Sequence, residues 1–199
     1  ETLKEGLLMP CYPASRDLAT VGGMVANNGA GEKTLKYGQN KDFVKSLKVV
    51  LSDGEEYEIA PLKKEELEAK ILETNYLAEM YRKIWNLIKR NQEELKAAKP
   101  KTSKNSSGYL IWDVWDPVSE IFDPTRLFVG AQGTTGIITE ITYKLVKNEK
   151  ESKLLVIFLK DLGQIPMLTH ELLKNDLETL EIYDDHTLRF AVKFWRGFV

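Results

Sequence analysis

The sequence is poor in the residues that build disulfides and metal sites. Its 199 residues include one cysteine, Cys11, and two histidines. A disulfide needs two cysteines, and iron–sulfur or zinc sites need several cysteines or histidines, so neither is expected within this chain. We therefore predict that the chain binds no metal ion.

An excess of one charge and long hydrophobic runs are lacking as well. The 28 basic and 30 acidic residues leave a formal charge of -2, which predicts neither a nucleic-acid binder nor a membrane-surface binder. No apolar run approaches the ~20 residues that span a bilayer, and no secretory signal pattern is present. We expect a cytoplasmic protein without a transmembrane segment, and peripheral membrane association of the full protein stays open. The first residue, Glu1, is not methionine, which favours an excised fragment.

Glycine is concentrated in residues 20–31, Thr-Val-Gly-Gly-Met-Val-Ala-Asn-Asn-Gly-Ala-Gly, which we call the first glycine block. Thr20 is placed to cap a short helix over the apolar run 21–26. Glycine costs about 1 kcal/mol in a helix relative to alanine, so Gly22 and Gly23 indicate a close approach to the backbone. An anion at the helix start is one explanation. Tight packing against another element is the other, and the spacing leaves both open.

The exit from this helix and a second glycine-rich stretch complete the pattern. We expect the helix to end at Asn27-Asn28-Gly29, with Gly29 and Gly31 allowing a left-handed exit. Residues 127–139, Leu-Phe-Val-Gly-Ala-Gln-Gly-Thr-Thr-Gly-Ile-Ile-Thr, form the second glycine block.

The two blocks, with Lys-Tyr-Gly at 36–38 and Val-Val-Leu-Ser-Asp-Gly at 49–54, resemble the second half of the FAD-binding domain of vanillyl-alcohol-oxidase-type flavoproteins. The resemblance covers roughly residues 9–190. Gln132 and Thr135 replace the Glu and Leu that are usual in the family's second signature. Either block alone is a weak signal, whereas both in this order are a strong one.

The resemblance implies a non-covalently bound FAD, since no histidine or cysteine stands where this family attaches flavin covalently. The residues that it places against the cofactor are Ala14, Ser15, Thr20, Val21, Gly22, Gly23, Asn27, Asn28, Gly29, Ala30, Gln132, Gly133, Thr134, Gly136, Ile137 and Ile138. The family's substrate and base residues lie in other segments, so the sequence identifies no catalytic residue here.

The segment 104–109, Lys-Asn-Ser-Ser-Gly-Tyr, is similar to the glycolate-oxidase and D-lactate-dehydrogenase branch of the family. This favours a FAD-dependent oxidoreductase acting on a small 2-hydroxy acid such as D-lactate or glycolate. An ether-lipid (alkyl-glycerone-phosphate) synthase relative, a non-catalytic accessory subunit and a plain interaction domain are the alternatives. The segment is equally compatible with a solvated loop. The electron acceptor and the oligomeric state are not predicted.

The hydrophobic pattern predicts an α+β fold in which helices flank an antiparallel sheet. Strands are expected at 44–51, 55–59 and 136–146. Asp53-Gly54 is a hairpin signal between the first two strands, and apolar residues at helical spacing over 63–98 predict helices that cover one face. By resemblance, this is the second subdomain of the FAD-binding type 2 fold.

A charged linker at 147–152 marks the predicted domain boundary. Residues 1–149 are assigned to the C-terminal part of the FAD-binding domain and 150–199 to the beginning of a substrate cap. By resemblance the cap is ferredoxin-like, and the chain stops before such a cap is complete. Its expected elements are strands at 153–159 and 177–183 around a helix at 161–175.

Three local patterns are treated as coincidental. Gly-Glu-Lys-Thr at 31–34 fails the Walker spacing. Gly29-Ala-Gly31 lacks the third glycine of a Rossmann fingerprint and follows a helix instead of a strand. His186 beside two aspartates is more simply a surface cap than a catalytic dyad.

Overall fold

The computed structural model describes residues 1–102, 104–149 and 151–195. Its strands are β1 (Leu7–Leu8), β2 (Val44–Val50), β3 (Glu56–Ile59), β4 (Leu62–Lys63), β5 (Trp115–Asp116), β6 (Ile121–Phe122), β7 (Ile137–Tyr143) and β8 (Val146–Lys147). Its α-helices are α1 (Val21–Ala26), α2 (Thr34–Tyr37), α3 (Lys64–Lys70), α4 (Tyr76–Arg90), α5 (Gln92–Ala98), α6 (Ile165–Leu172) and α7 (Asp185–Phe194). Short 3-10 helices lie at Thr2–Glu5, Asn40–Asp42, Ile111–Asp113, Pro124–Leu127 and Leu162–Gln164.

The central sheet has the order β3-β2-β7, and both pairs are antiparallel. Leu47 of β2 lies opposite Ile59 on one side and Ile141 on the other. The β2–β3 hairpin turns at Gly54, whose φ of 86° is in the left-handed region that glycine tolerates. The three predicted strands and the hairpin are confirmed. The third strand is shorter than expected, because β8 separates from β7 and pairs with β1.

Alternation in β2 and helical periodicity in α4 build one hydrophobic core. Val44, Leu47 and Val49 are buried on one side of the sheet. The buried side chains of α4 recur every three or four residues and pack on that side; they are Leu77, Ala78, Tyr81, Trp85 and Ile88. Helices therefore cover one face of the sheet as predicted, and 63–98 forms the three helices α3, α4 and α5.

A second, small antiparallel sheet joins this core to the second glycine block. Its order is β4-β6-β5, and Phe122 of β6 is fully buried. The Asp123 side chain then accepts a hydrogen bond from the Thr125 backbone N–H at 3.1 Å and caps the helix Pro124–Leu127. This short helix leads the chain into the second block.

The C-terminal part of the chain is helical but forms no strand within its described residues, 151–195. The expected helix is present as α6, whereas the expected strands at 153–159 and 177–183 are wrong. Leu154 and Phe158 are 86% and 90% exposed. A strand exists only when a neighbour accepts and donates its backbone hydrogen bonds, and neither segment has one here.

The predicted boundary linker contains Lys150, which lies outside the described residues. Two ion pairs connect the segment after the linker to the remainder of the chain. Lys33 contacts Glu178 at 2.6 Å, and Lys36 contacts Asp176 at 3.1 Å. The structure also shows no described helix that has both the length and the apolar character needed to cross a bilayer.

Candidate functional site

Helix α1 carries the first glycine block and begins as the sequence predicts. Thr20 has an extended backbone, and its Oγ1 accepts a hydrogen bond from the Gly23 N–H at 3.0 Å. A side chain at Gly23 would press against this same oxygen, because a Cβ there would lie 2.9 Å from it. Gly23 therefore has a role within the protein, which is to leave room for the cap.

The exit from α1 differs from the prediction. Asn28 adopts the left-handed conformation, with φ of 46°, whereas neither Gly29 nor Gly31 has a positive φ. Asparagine tolerates this region because its side chain can bond locally; here Oδ1 accepts from the Lys41 backbone N–H at 3.0 Å. Gly31 is required for a different reason, since a Cβ there would overlap the carbonyl oxygen of Tyr12.

The second glycine block docks directly on the end of α1. The Gly130 N–H donates to the Val25 carbonyl at 3.0 Å, and the Gln132 N–H donates to the Ala26 carbonyl at 2.8 Å. Gln132 adopts the left-handed region with φ of 54°. Residues more than 100 positions apart are thus joined by two backbone hydrogen bonds, and the two blocks form one continuous surface.

Many backbone donors of the two blocks are already bonded inside the protein. The N–H groups with protein acceptors include those of Gly23, Met24, Asn27, Asn28, Gly29, Gly31, Gly130, Ala131, Gln132 and Thr134. The backbone N–H groups of Asn27 and Asn28 close the last turn of α1, so both are bonded within the protein.

The segment 104–109 contacts the second glycine block and Gln39. Gly108 has φ of 73°, and a Cβ there would overlap the Gly130 carbonyl oxygen. The hydroxyls of Tyr109 and Thr134 lie 2.5 Å apart, and the Asn105 N–H donates to Gln39 Oε1 at 3.3 Å. The sequence left a solvated loop as one alternative for this segment. In the structure, Gly108 and Tyr109 instead contact the second glycine block.

A buried polar cluster below the first block was missed by the sequence analysis. Asn40 is fully buried, and its Nδ2 donates to the carbonyls of Gly29 at 2.7 Å and Cys11 at 3.1 Å. Its Oδ1 accepts from the Tyr143 hydroxyl at 2.6 Å. Burial raises the pKa of the Tyr143 hydroxyl and raises the pKa of the Cys11 thiol to about 11. Asn40 thereby links three parts of the chain: the N-terminal segment at Cys11, the first glycine block at Gly29 and strand β7 at Tyr143.

The loop before segment 104–109 is anchored by Asp113. Lys99 Nζ and Lys41 Nζ lie 2.6 and 3.2 Å from its carboxylate oxygens. Burial by itself raises the pKa of Asp113, but the hydrogen bonds and charges of the two lysines outweigh it and lower the pKa. This carboxylate is therefore ionised at neutral pH and holds both lysines.

Comparison with known proteins bears directly on this arrangement. A family model described as "FAD binding domain" matches residues 1–60, which include the first glycine block. The chain is 27% identical over 186 residues to the glycolate oxidase subunit GlcD of Bacillus subtilis (strain 168), covering 92% of this chain and 28% of that protein. The chain is similar to FAD-linked oxidases.

Two further relatives are also longer proteins that the chain covers only in part. A D-lactate dehydrogenase of Anaerostipes hadrus is 28% identical over 183 residues, covering 89% of this chain and 27% of that protein. A D-2-hydroxyglutarate dehydrogenase of Escherichia coli (strain K12) is 26% identical over 136 residues, covering 68% of this chain and 13% of that protein. The chain spans less than a third of the length of these relatives. The family resemblance seen in the sequence is confirmed, and the matched model indicates FAD as the cofactor.

The glycines provide a test of whether these residues fit FAD. Gly31, Gly108 and Gly136 are required by packing, because a Cβ at each would overlap a protein atom. Gly22 has no protein atom within 4 Å of its Cβ position and no positive φ. Neither packing nor backbone conformation explains Gly22, so its lack of a side chain fits a ligand that approaches from outside.

The remaining predicted contacts differ in their exposure and surroundings. Ala14 and Ser15 follow Pro13, whose Cα would lie 3.2 Å from a Cβ on Gly31. Gly133 has open space like Gly22, and Ile137 is 69% exposed. Asn28 and Gly29 are buried. The geometry brings the first and second blocks together and places the stretch at 14–15 beside Gly31.

Metal and histidine chemistry find no support in this site. Within the described residues, no group of three or more His, Cys, Asp or Glu side chains is placed to hold a metal ion. His186 is exposed beside Asp185, and Asp184 caps α7 by accepting from the Thr187 N–H at 2.7 Å. The surface-cap interpretation of His186 is confirmed.

Proposed function

We propose that this chain is part of a FAD-dependent oxidoreductase that oxidises a small 2-hydroxy acid of the D-lactate or glycolate class. Glycolate, D-lactate and D-2-hydroxyglutarate, which the relatives' names contain, all carry a hydroxyl beside a carboxylate. Segment 104–109, which resembles the branch acting on such acids, lies against the second glycine block. The segment that suggests the substrate class therefore lies beside the proposed cofactor surface.

The observation that carries the proposal is the docking of the second glycine block on α1. The bonds from Gly130 to Val25 and from Gln132 to Ala26 create one surface from two distant signatures. A packing role alone accounts for Gly31, Gly108 and Gly136 but leaves Gly22 unexplained. A cofactor lying across the joined blocks accounts for Gly22 as well.

Within this proposal the chain holds and orients the cofactor. FAD, when bound, supplies the redox chemistry. The residues proposed to line it are those named from the resemblance, Ala14, Ser15, Thr20, Val21, Gly22, Gly23, Asn27, Asn28, Gly29, Ala30, Gln132, Gly133, Thr134, Gly136, Ile137 and Ile138. The side chains of Asn27 and Asn28, more than their bonded backbone, are the contacts to expect. Binding is proposed to be non-covalent.

The domain organisation is proposed on the same basis. Residues 1–149 are assigned to the C-terminal part of the FAD-binding domain, as its second subdomain. Residues 150–199 are assigned to the start of a ferredoxin-like cap over the substrate. The exposed apolar side chains at 153–159 support the cap assignment, because a segment of this composition requires partners. No residue of this chain is assigned a catalytic role.

The proposal is tested on the full-length gene product. We expect bound flavin, visible by its absorbance near 450 nm in about stoichiometric amount, and bleaching of that absorbance by D-lactate, glycolate or D-2-hydroxyglutarate without oxygen. L-lactate is the matched control and should not bleach it. Flavin that no 2-hydroxy acid reduces would favour an accessory subunit, and a protein unable to bind FAD would contradict the proposal.

A further inference from the structure

Two asparagine side chains bury an amide nitrogen without an acceptor. Among the described residues, these are Asn28 Nδ2 and Asn105 Nδ2. Asn28 as a whole is only 2% exposed. Buried donors are nearly always paired in folded proteins, because an unpaired one loses its bonds to water without replacement. Two such donors in one region require an explanation.

The orientation of both amides is determined by their neighbours. Asn28 Oδ1 accepts from the Lys41 backbone N–H at 3.0 Å. Asn105 Oδ1 accepts from the Ser107 backbone N–H at 3.1 Å and from the Ser107 hydroxyl. Flipping either amide would set its NH2 group against a backbone N–H donor. The unpaired atoms are therefore nitrogens, and what they lack is an acceptor.

One glutamine joins the two asparagines. Gln39, which is 2% exposed, donates from Nε2 to the Asn28 carbonyl at 3.2 Å and accepts at Oε1 from the Asn105 N–H at 3.3 Å. Asn28 also lies against the second block, since a Cβ on Gly130 would be 3.2 Å from Asn28 Cβ. The unpaired donors thus lie at the two ends of one polar chain, which runs from Asn28 in the first glycine block through Gln39 to Asn105 in segment 104–109.

We propose that the side-chain amides of Asn28 and Asn105 donate hydrogen bonds to acceptor oxygens of FAD. This inference rests on the proposed function. Both nitrogens are shielded from solvent here, so the cofactor reaches them when residues 104–107 shift. The bond that joins this loop to Gln39 is a 3.3 Å contact between neutral groups, which a ligand with phosphate and ring carbonyl oxygens can replace with stronger bonds.

The test uses four variants of the full-length protein, with FAD affinity measured by flavin fluorescence. Asn105→Asp keeps the acceptor for Ser107 but loses the donor, and Asn105→Ala loses both. Ser106→Asp and Ser106→Ala make the same changes at an exposed neighbour and control for charge and for loop disturbance. We expect both Asn105 variants to raise the dissociation constant about tenfold or more, and the Ser106 variants to leave it unchanged.

A second measurement separates this role from a structural one. Without FAD, the melting temperature of Asn105→Asp should equal that of wild type, whereas the rise in melting temperature on adding FAD should be smaller. Competition by ADP locates the acceptor: weakened ADP binding places it on the phosphates, and unchanged ADP binding places it on the flavin. Either result supports donation to FAD.

The inference fails if wild-type protein binds FAD and both Asn105 variants bind it equally well, since a buried water would then satisfy the amide. Equal losses for the Ser106 and Asn105 variants would also overturn it. If wild-type protein binds no FAD, the proposed function itself fails and this inference fails with it. The wild-type measurement therefore distinguishes the two failures.

Discussion

At the scale of single residues, the glycines fall into two groups according to what surrounds them. A Cβ on Gly31 would meet the backbone of Tyr12 and Pro13, whereas a Cβ on Gly22 would meet open space. The sequence shows both as glycines of one motif, and their environments come from contacts with Tyr12 in one case and from solvent-facing space in the other. Only the folded chain distinguishes glycines that the protein needs from those that a ligand needs.

Alanine substitutions should separate the two groups. Gly31→Ala is expected to destabilise the protein by about 2 kcal/mol, because the new methyl overlaps a backbone oxygen. Gly22→Ala is its matched control and should stabilise the protein by up to about 0.5 kcal/mol through better helix propensity, while weakening FAD binding in the full-length protein. Urea unfolding and FAD titration measure both. A Gly22→Ala protein with wild-type FAD affinity would count against a ligand at this position.

Cys11 makes the stability of the fold depend on alkaline pH. Its pKa is raised from 9.0 to about 11 by burial, so the folded state keeps the proton that the unfolded state loses. The contribution of the buried, protonated Cys11 thiol to the free energy of unfolding is complete below pH 9, and it decreases as the pH rises towards 11. At about pH 10.5 the loss should be about 2 kcal/mol.

The measurement compares urea unfolding of wild type and Cys11→Ala at neutral and alkaline pH. Tyrosines and lysines titrate in both proteins, so the difference between them isolates the thiol. The advantage of wild type over Cys11→Ala should shrink by about 2 kcal/mol between about pH 7.5 and 10.5. A difference that stays constant with pH would show that Cys11 ionises as easily in the folded chain as in the unfolded one.

At the scale of elements, strands and helices were predicted well where their partners are present. Buried and exposed residues alternate along β2, which pairs with β3 and β7. The apolar side chains of α4 pack against this sheet. The apolar run at 153–159 has an equally strong strand composition but no neighbour to pair with. The two strands of a hairpin are close in sequence, so their pairing is predictable from local patterns. Whether an isolated strand has a partner depends on segments far away in the sequence.

The contact between α2 and the turn at 175–178 is an element-scale prediction. The side chains of Lys33 and Glu178 are 19% and 32% exposed. Burial by itself lowers the pKa of Lys33, but the hydrogen bond that its Nζ donates to Glu178, together with the Glu178 charge, outweighs burial and raises the pKa. Lys33→Glu should increase proteolytic cleavage around 174–184 severalfold. The double swap Lys33→Glu with Glu178→Lys should restore protection, corresponding to a coupling of about 1 kcal/mol.

A surface ion pair on the sheet provides the control for that experiment. Lys48 contacts Glu140 at 2.8 Å, with both side chains exposed. Lys48→Glu changes the net charge equally but should leave cleavage at 174–184 unchanged. Failure of the double swap to restore protection would show that the pair does not hold the C-terminal segment in place.

At the scale of the whole molecule, the partial coverage of the relatives leads to one prediction. The chain covers 28% of the length of GlcD, and the resemblance places FAD in a cleft between two subdomains. We therefore expect the 199-residue chain, purified alone, to fold but to be colourless, with a dissociation constant for FAD about a thousandfold above that of the full-length protein. Absorbance after gel filtration and equilibrium dialysis measure this. A yellow preparation with stoichiometric FAD would contradict it.

The sequence by itself determined the local elements of this protein. Thr20 and Asn75 cap helices through bonds that reach three residues, Gly54 turns a hairpin, and periodicity assigns α4 its buried face. The two glycine blocks also indicated FAD, through their resemblance to vanillyl-alcohol-oxidase-type flavoproteins. These signals are readable because each depends on neighbours within a few positions along the chain.

Only the tertiary structure decided how these elements form a site. It placed Gly130 and Gln132 on the end of α1, assigned the left-handed exit to Asn28, and buried Gln39 and Asn40 beneath the blocks. It also left 153–159 without a partner strand. Each of these outcomes depends on contacts between residues far apart in sequence, whose energies no local pattern contains.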